Sequence, residues 1–308
     1  MAKARETGAG AMVISRTLPW AAKSSHLGEF PRRLVLKSGS ALCKLITSFL
    51  NTSHVYNLDT LNRLVHSRPP GTPLITVSNH MTTLDDPLMW GMKGFSADAK
   101  LARWTLAADD ICFTNPILSY FFRLGKCIPI TRGAGIYQPH MYEALERLNE
   151  GDWLHTFPEG KISQENGPIR RLKWGVASLI ERALVPPIVL PICHSGFEKV
   201  MPENYLFGRR PLLPLWSKNI SIVVGEPIQF DLRSLRQTAE EAVRRVYSTQ
   251  HDESPPLPEL PCKSALGGLP EDRVVQWLYS HMSDHIRIVM QELVIKAKAL
   301  NNKMDSHI

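Results

Sequence analysis

The chain has 308 residues, 44% hydrophobic and 21% charged, which allows one large packed domain with short extensions and excludes wholesale disorder. A net charge of +7 favours anionic partners. With no zinc-finger spacing and no aromatic-interleaved RNA-binding signature, the expected partner is a membrane surface and not nucleic acid. Five cysteines without a C-x-x-C pair point to a reduced compartment or to simple core thiols and not to a disulfide framework, and no segment reaches the ~18 to 20 uninterrupted apolar residues of a transmembrane helix.

The first 50 residues carry eight basic side chains (Lys3, Arg5, Arg16, Lys23, Arg32, Arg33, Lys37, Lys44) against Glu6 and Glu29. That bias suits an organellar presequence or a surface-binding arm, and equally a solvated tail. Within this basic arm (1–69), residues 34–50, LVLKSGSALCKLITSFL, read as an amphipathic helix for a membrane interface or for the core. The breaker RPPGTP at 68–73 opens the main domain, taken as 70–250. Strand-like runs at 74–77, 127–131, 153–157, 188–192 and 220–224 then alternate with helical ones around 86–93, 116–124, 138–149 and 174–184. This alternation predicts an α/β domain. In the fourth helix, Met141, Leu145 and Leu148 share a side, and Gly151 is placed to end it. Residues 251–270 are rich in Pro and Gly and read as a linker. Beyond them Val274, Leu278, Met282, Ile286, Val289, Leu293 and Ala297 recur at helical spacing, so 271–308 is a last helix for the domain or a membrane face.

The first chemical signal is LITVSNHMTTLDDP, where an apolar β-branched run stops at Ser78-Asn79-His80 and Asp85 follows five residues later. On one continuous helix these two would lie about 140° apart, so they meet only if a turn separates them. Asp85 in the first turn of the next helix can then accept a hydrogen bond from the imidazole and make its other nitrogen a general base. The same residues also fit a turn histidine and a helix N-cap. No Gly-x-Ser-x-Gly elbow and no H-E-x-x-H occurs; His281 and His285 share a helix face but lack a third ligand.

Two further strand ends follow the same plan. GKCIPITRGAG leaves Arg132 beside Gly133, and GDWLHTFPEGK holds Glu159 between Pro158 and Gly160. RRLKWG adds Lys173 near the start of a helix. Each is an ordinary surface turn by itself. Together they describe a site for a phosphate-bearing substrate near the strand ends of an α/β sheet.

In this order His80-x-x-x-x-Asp85, Gly125…Arg132, Phe157-Pro158-Glu159-Gly160 and Pro187-Ile-Val-Leu-Pro191 resemble the four blocks of the glycerolipid acyltransferase family, most closely its tafazzin branch. The resemblance covers roughly residues 70–225. It implies a glycerol-3-phosphate acyltransferase-like fold, a mixed sheet flanked by helices, with His80 as base and Asp85 as its orienting partner. It further implies Arg132 and Lys173 on the phosphate, Glu159 and Gly160 around the glycerol, and no cofactor. Many relatives have Ser or Thr after the FPEG block, where this chain has Lys161.

The expected substrates are glycerophospholipids and lysophospholipids, reached from one leaflet as a monotopic protein, on a mitochondrial membrane or another endomembrane. Tyr205 to Lys218, YLFGRRPLLPLWSK, interleaves large apolar residues with Arg209, Arg210 and Lys218 and reads as an anchor or as a loop folded on the sheet. The expected reaction is acyl exchange between a phospholipid and a lysophospholipid, with acyl-CoA as the alternative donor. A hydrolase and a silent lipid-binding scaffold are the other readings.

Overall fold

The computed structural model describes residues 16–96, 98–165, 167–251 and 271–306. The segment read as a linker, 251–270, lies outside the described residues but for His251. Seven strands form the centre: β1 (Thr52–Tyr56), β2 (Leu74–Val77), β3 (Trp104–Ala108), β4 (Cys127–Ile130), β5 (Trp153–Thr156), β6 (Ile188–Ser195) and β7 (Asn219–Val224), in the order β1-β7-β6-β2-β5-β3-β4. β6, β2, β5, β3 and β4 run parallel, while β7 runs antiparallel to β6 and parallel to β1. The sheet is mixed, and helices cover both faces.

The longer helices are α1 (Phe30–Lys44), α2 (Leu58–His66), α3 (Asp85–Met89), α4 (Pro116–Leu124), α5 (Pro139–Asn149), α6 (Gly175–Arg182), α7 (Leu232–His251) and α8 (Glu271–Asp305). Alternate residues of the central strands feed two cores. Leu74, Trp153 and Leu190 pack with Leu61 and Leu64 of α2 on one face. Ile75, Leu154 and Val189 pack with α5, α6 and α8 on the other. Every residue of β2 and β7 is buried, so neither strand turns alternate side chains to solvent. Pro129 is tolerated in β4 because that strand is the sheet edge.

Two strands lie outside the expected set. β1 (TSHVY) is a half-exposed edge strand without a hydrophobic run, and β3 (WTLAA) ends in alanines, which are weak strand formers. β1 also brings the sheet's start ahead of the boundary at residue 70. α3 is shorter than the 86–93 run suggested, because Gly91 meets α1 there. A Cβ on Gly91 would stand 2.3 Å from the Cys43 carbonyl oxygen. α1 begins four residues before Leu34 and passes into a π-helical turn, Leu45–Leu50, whose Thr47 hydroxyl donates to the Leu88 carbonyl at 2.8 Å. This part of the basic arm is therefore docked on the domain.

α8 packs across β6 and β7, on the domain. Val274, Leu278, Met282 and Ile286 are buried; from there the stripe continues through Met290, Val294, Ala297 and Asn301 instead of Val289 and Leu293. Steps of four residues gain about 40° each, so a long stripe winds round the helix. The segment 205–218 takes the opposite course. Phe207 and Leu212 are 98% and 99% exposed, and Leu206, Leu213 and Trp216 also face outward.

Candidate active site

β2, β5 and β6 are in register where β2 and β5 end, since Val77 pairs with both Thr156 and Pro191, and β6 continues beside β7. Three residues beyond each of these stand His80, Glu159 and His194. His80 Nδ1 lies 2.9 Å from Asp85 Oδ2. Asp85 is fully buried at the first turn of α3. Its Oδ2 also accepts the N–H groups of Met81 (2.5 Å) and Thr82 (2.8 Å), and its Oδ1 accepts the Thr82 hydroxyl at 2.9 Å. A carboxylate so held cannot rotate away from the imidazole. The His80 ring stacks on Phe157 at 4.0 Å and 15°, with a fifth of its side chain exposed. Because Nδ1 is occupied, Nε2 is the nitrogen left for chemistry.

Glu159 accepts the backbone N–H of His80 at 3.3 Å. Burial pushes its carboxyl upward, against backbone hydrogen bonds from His80 and Arg170 that pull it down. Gly160 has φ +65°, and a Cβ there would come within 2.8 Å of Lys173 Nζ. The exposed Lys173 side chain thus lies across Gly160, while its N–H binds the Pro158 carbonyl at 2.9 Å. Lys173 precedes α6 and does not sit inside it.

Arg132 is placed differently. β4 is three strands from β2, roughly 14 Å along the edge at ~4.8 Å per strand. The Arg132 guanidinium is half exposed and paired with Asp110, which leaves β3 in register with it. His80, Asp85, Glu159, Gly160 and Lys173 are together; Arg132 stands apart from them.

Several neighbours have no counterpart in the sequence reading. Asn79 bonds both backbone groups of His194, donating to its carbonyl at 3.0 Å and accepting its N–H at 2.9 Å, and so ties the β2 exit to β6. His194 is buried with Nε2 3.8 Å from Asp85 Oδ1, and burial lowers its basicity. Ser163 donates its N–H to the His80 carbonyl at 2.8 Å, and Gln164 donates to the Met81 carbonyl at 2.9 Å. Asn79 could be suspected from its place beside His80. Nothing local marks His194, which sits in an otherwise apolar strand.

From His80 and Phe157 a cavity of about 1000 Å³ runs between α1 and α4, with Val35, Leu36, Trp90, Phe121, Phe122 and Ile162 in its walls. One charged pair also lines it: Asp86 is bound by Arg103 and accepts the Trp90 indole N–H at 3.1 Å. Burial would raise the Asp86 carboxyl, but the adjacent guanidinium outweighs this and holds it below the usual carboxylate range. An oriented imidazole at the mouth of a long apolar cavity can deprotonate a nucleophile beside a carbonyl whose chain lies in that cavity.

The Acyltransferase family model matches residues 53–195, from β1 to the end of β6. The chain belongs to this acyltransferase family. It is 55% identical over 291 residues to N-acylphosphatidylethanolamine synthase of Arabidopsis thaliana, an alignment covering 93% of this chain and 100% of that one. It is 44% identical to the taffazin of Dictyostelium discoideum (66% of this chain, 73% of the relative) and 37% identical to tafazzin of Drosophila melanogaster (72% and 59%). The 1-acyl-sn-glycerophosphate acyltransferase PlsC of Thermotoga maritima aligns over 80% of this chain and 90% of its own with a TM-score of 0.48 and 20% identity. The chain is thus a tafazzin-like acyltransferase with a mixed α/β sheet.

Proposed function

We propose that the protein moves acyl chains between glycerophospholipids at a membrane surface, taking them from an intact phospholipid and giving them to a lysophospholipid. The observation that carries this is the His80–Asp85 pair at the mouth of the apolar cavity. His80 Nε2 takes the proton of the lysolipid hydroxyl as that oxygen attacks the donor's ester carbonyl. Asp85 holds the Nδ1–H tautomer and stabilises the imidazolium that forms. Collapse breaks the bond to the leaving oxygen, and the same imidazole returns the proton to it. Donor and acceptor are both esters, so the exchange is nearly thermoneutral and reversible. Lys173, whose side chain lies over Gly160, supports a role on the acceptor phosphate, with Glu159 and Gly160 shaping the glycerol site. Arg132 can join them only after leaving Asp110.

Membrane attachment is supported by two apolar surfaces. One is the loop 205–216; the other is the outer side of α1 and α4, where Leu34, Leu42, Ile117 and Phe121 are exposed. Among the described residues no helix is long and apolar enough to cross a membrane, so both surfaces fit attachment to one leaflet. The tafazzin resemblance supports a mitochondrial membrane. Changing Leu212, Leu213 and Trp216 to Ser releases the protein from sedimenting vesicles without unfolding it; unchanged sedimentation moves the anchor to α1 and α4.

A second reading has the same base and a different acceptor, the primary amine of an ethanolamine headgroup. The 55% identity to the Arabidopsis N-acylphosphatidylethanolamine synthase favours it. One assay separates the readings: purified protein in vesicles with acyl-labelled phospholipid, unlabelled lysolipid and phosphatidylethanolamine, with and without acyl-CoA. Exchange without acyl-CoA into alkali-labile ester is the expected result. Label in an alkali-stable amide selects the amine acceptor. Strict dependence on acyl-CoA overturns the exchange and leaves an acyl-CoA-dependent lysophospholipid acyltransferase.

A further inference from the structure

A second cleft, of about 390 Å³, lies between residues 171–174 and α8. Arg171, Trp174, Ser283, Asp284 and Arg287 line it. Its groups are under-used. Among the described residues Arg171 has no carboxylate partner, and its guanidinium only faces the Trp174 ring at 5.8 Å. Arg287 meets Asp284 at a long 3.4 Å. The Ser283 hydroxyl is buried and makes no hydrogen bond. Two guanidiniums and a free hydroxyl suit a phosphate. A carboxylate and an indole face beside them suit an ammonium.

We propose that this cleft binds a zwitterionic phospho-amino headgroup, the phosphate on Arg171, Arg287 and Ser283 and the ammonium on Asp284 and Trp174. An anion alone would meet Asp284 as a repelling charge, and a cation alone would meet two guanidiniums; a zwitterion satisfies both signs. The site is separate from His80. Leu172, Lys173 and Trp174 are consecutive, so an occupied cleft also fixes the stretch that lays Lys173 over Gly160. This assignment does not depend on the reaction proposed above, because binding is read without turnover.

The test is calorimetric titration of the full chain with soluble glycerophosphoethanolamine, and with inorganic phosphate for comparison. The wild type is expected to bind the headgroup about tenfold more tightly than phosphate. Asp284→Asn should erase that preference while keeping phosphate binding, and Arg171→Gln with Arg287→Gln should lose both ligands. These side chains are partly or largely exposed, so their variants should melt with the wild type. Each titration is repeated on the Lys173→Ala background, which removes the phosphate contact at the catalytic site, and the headgroup preference and its losses should persist there. Equal affinity for both ligands in the wild type, no headgroup binding, preference surviving Asp284→Asn, or a preference absent on the Lys173→Ala background would each overturn the proposal.

Discussion

The turns after β2 and β4 look alike in sequence, each an apolar strand ending in a cationic or ionisable side chain with glycine or small residues nearby. In the folded chain they differ in burial and in bonding. After β2, Asp85 is wholly enclosed and takes bonds from His80, Met81 and Thr82, so the imidazole has one position. After β4, Arg132 stands half in solvent with a single carboxylate, Asp110, that is as exposed as itself. A central strand delivers its turn into the protein's interior, and an edge strand delivers it to water. The pair at the central exit is therefore preorganised, and the one at the edge is free to exchange partners.

The sharpest break in this comparison comes from His80→Ala. Removing the base should lower turnover by ~10² to 10⁴. The melting temperature should fall less than in Asp85→Ala, because Asp85 keeps its Met81 and Thr82 donors and the ring stack lost is worth about 0.5 to 1.5 kcal/mol. Single-turnover rates on a folded mutant check it, and near-normal activity removes His80 from the chemistry.

Asp85→Ala should behave oppositely in denaturant. It leaves two backbone N–H groups and the Thr82 hydroxyl buried without an acceptor, a loss on the order of 3 kcal/mol in urea unfolding as well as a loss of activity. If stability is unchanged, the carboxylate is not the scaffold of that turn.

Glu159→Gln gives a smaller, pH-dependent effect. Burial raises the Glu159 carboxyl above its unfolded value, so ionising it destabilises the folded wild type. Below the unfolded value both states are protonated and there is no penalty. The wild type should lose stability relative to Glu159→Gln as pH rises through the ordinary carboxylate range toward the raised folded value, and the gap should be constant above it. Melting curves across that range test the sign, while acceptor use should fall in the variant at every pH.

Least disruptive is Arg132→Ala, whose unfolding should coincide with that of the wild type because an exposed pair contributes little. Acceptor KM should rise modestly if the guanidinium leaves Asp110 for phosphate. An unchanged KM assigns the phosphate to Lys173 alone.

Much of the fold was legible because β2, β5, β6 and β7 are continuous buried runs between breakers, and their limits fall within a few residues of those read from pattern. β1 and β3 were not, since one is a half-exposed edge and the other is carried by its neighbours and not by its own propensity. The spacing from His80 to Asp85 fixed which residues could meet, given a turn. It could not supply the register that sets Glu159 and His194 three residues past matched strand positions, because register comes from pairing between segments distant in sequence. The Arg103–Asp86 pair was hidden for the same reason: its members stand seventeen positions apart, with the loop after α3 between them.

The position of α8 bears on how the chain is made. It covers Cys193, Val189 and their neighbours on the β6–β7 side, yet it is the last of the described elements to be synthesised. At ~5 to 20 residues per second, the stretch after β7 takes on the order of 5 to 15 s to emerge. Throughout that interval an apolar sheet face stands open on the nascent chain. A chaperone or a nearby bilayer has its best opportunity to engage the protein then, and a stall before residue 271 would leave that face permanently bare.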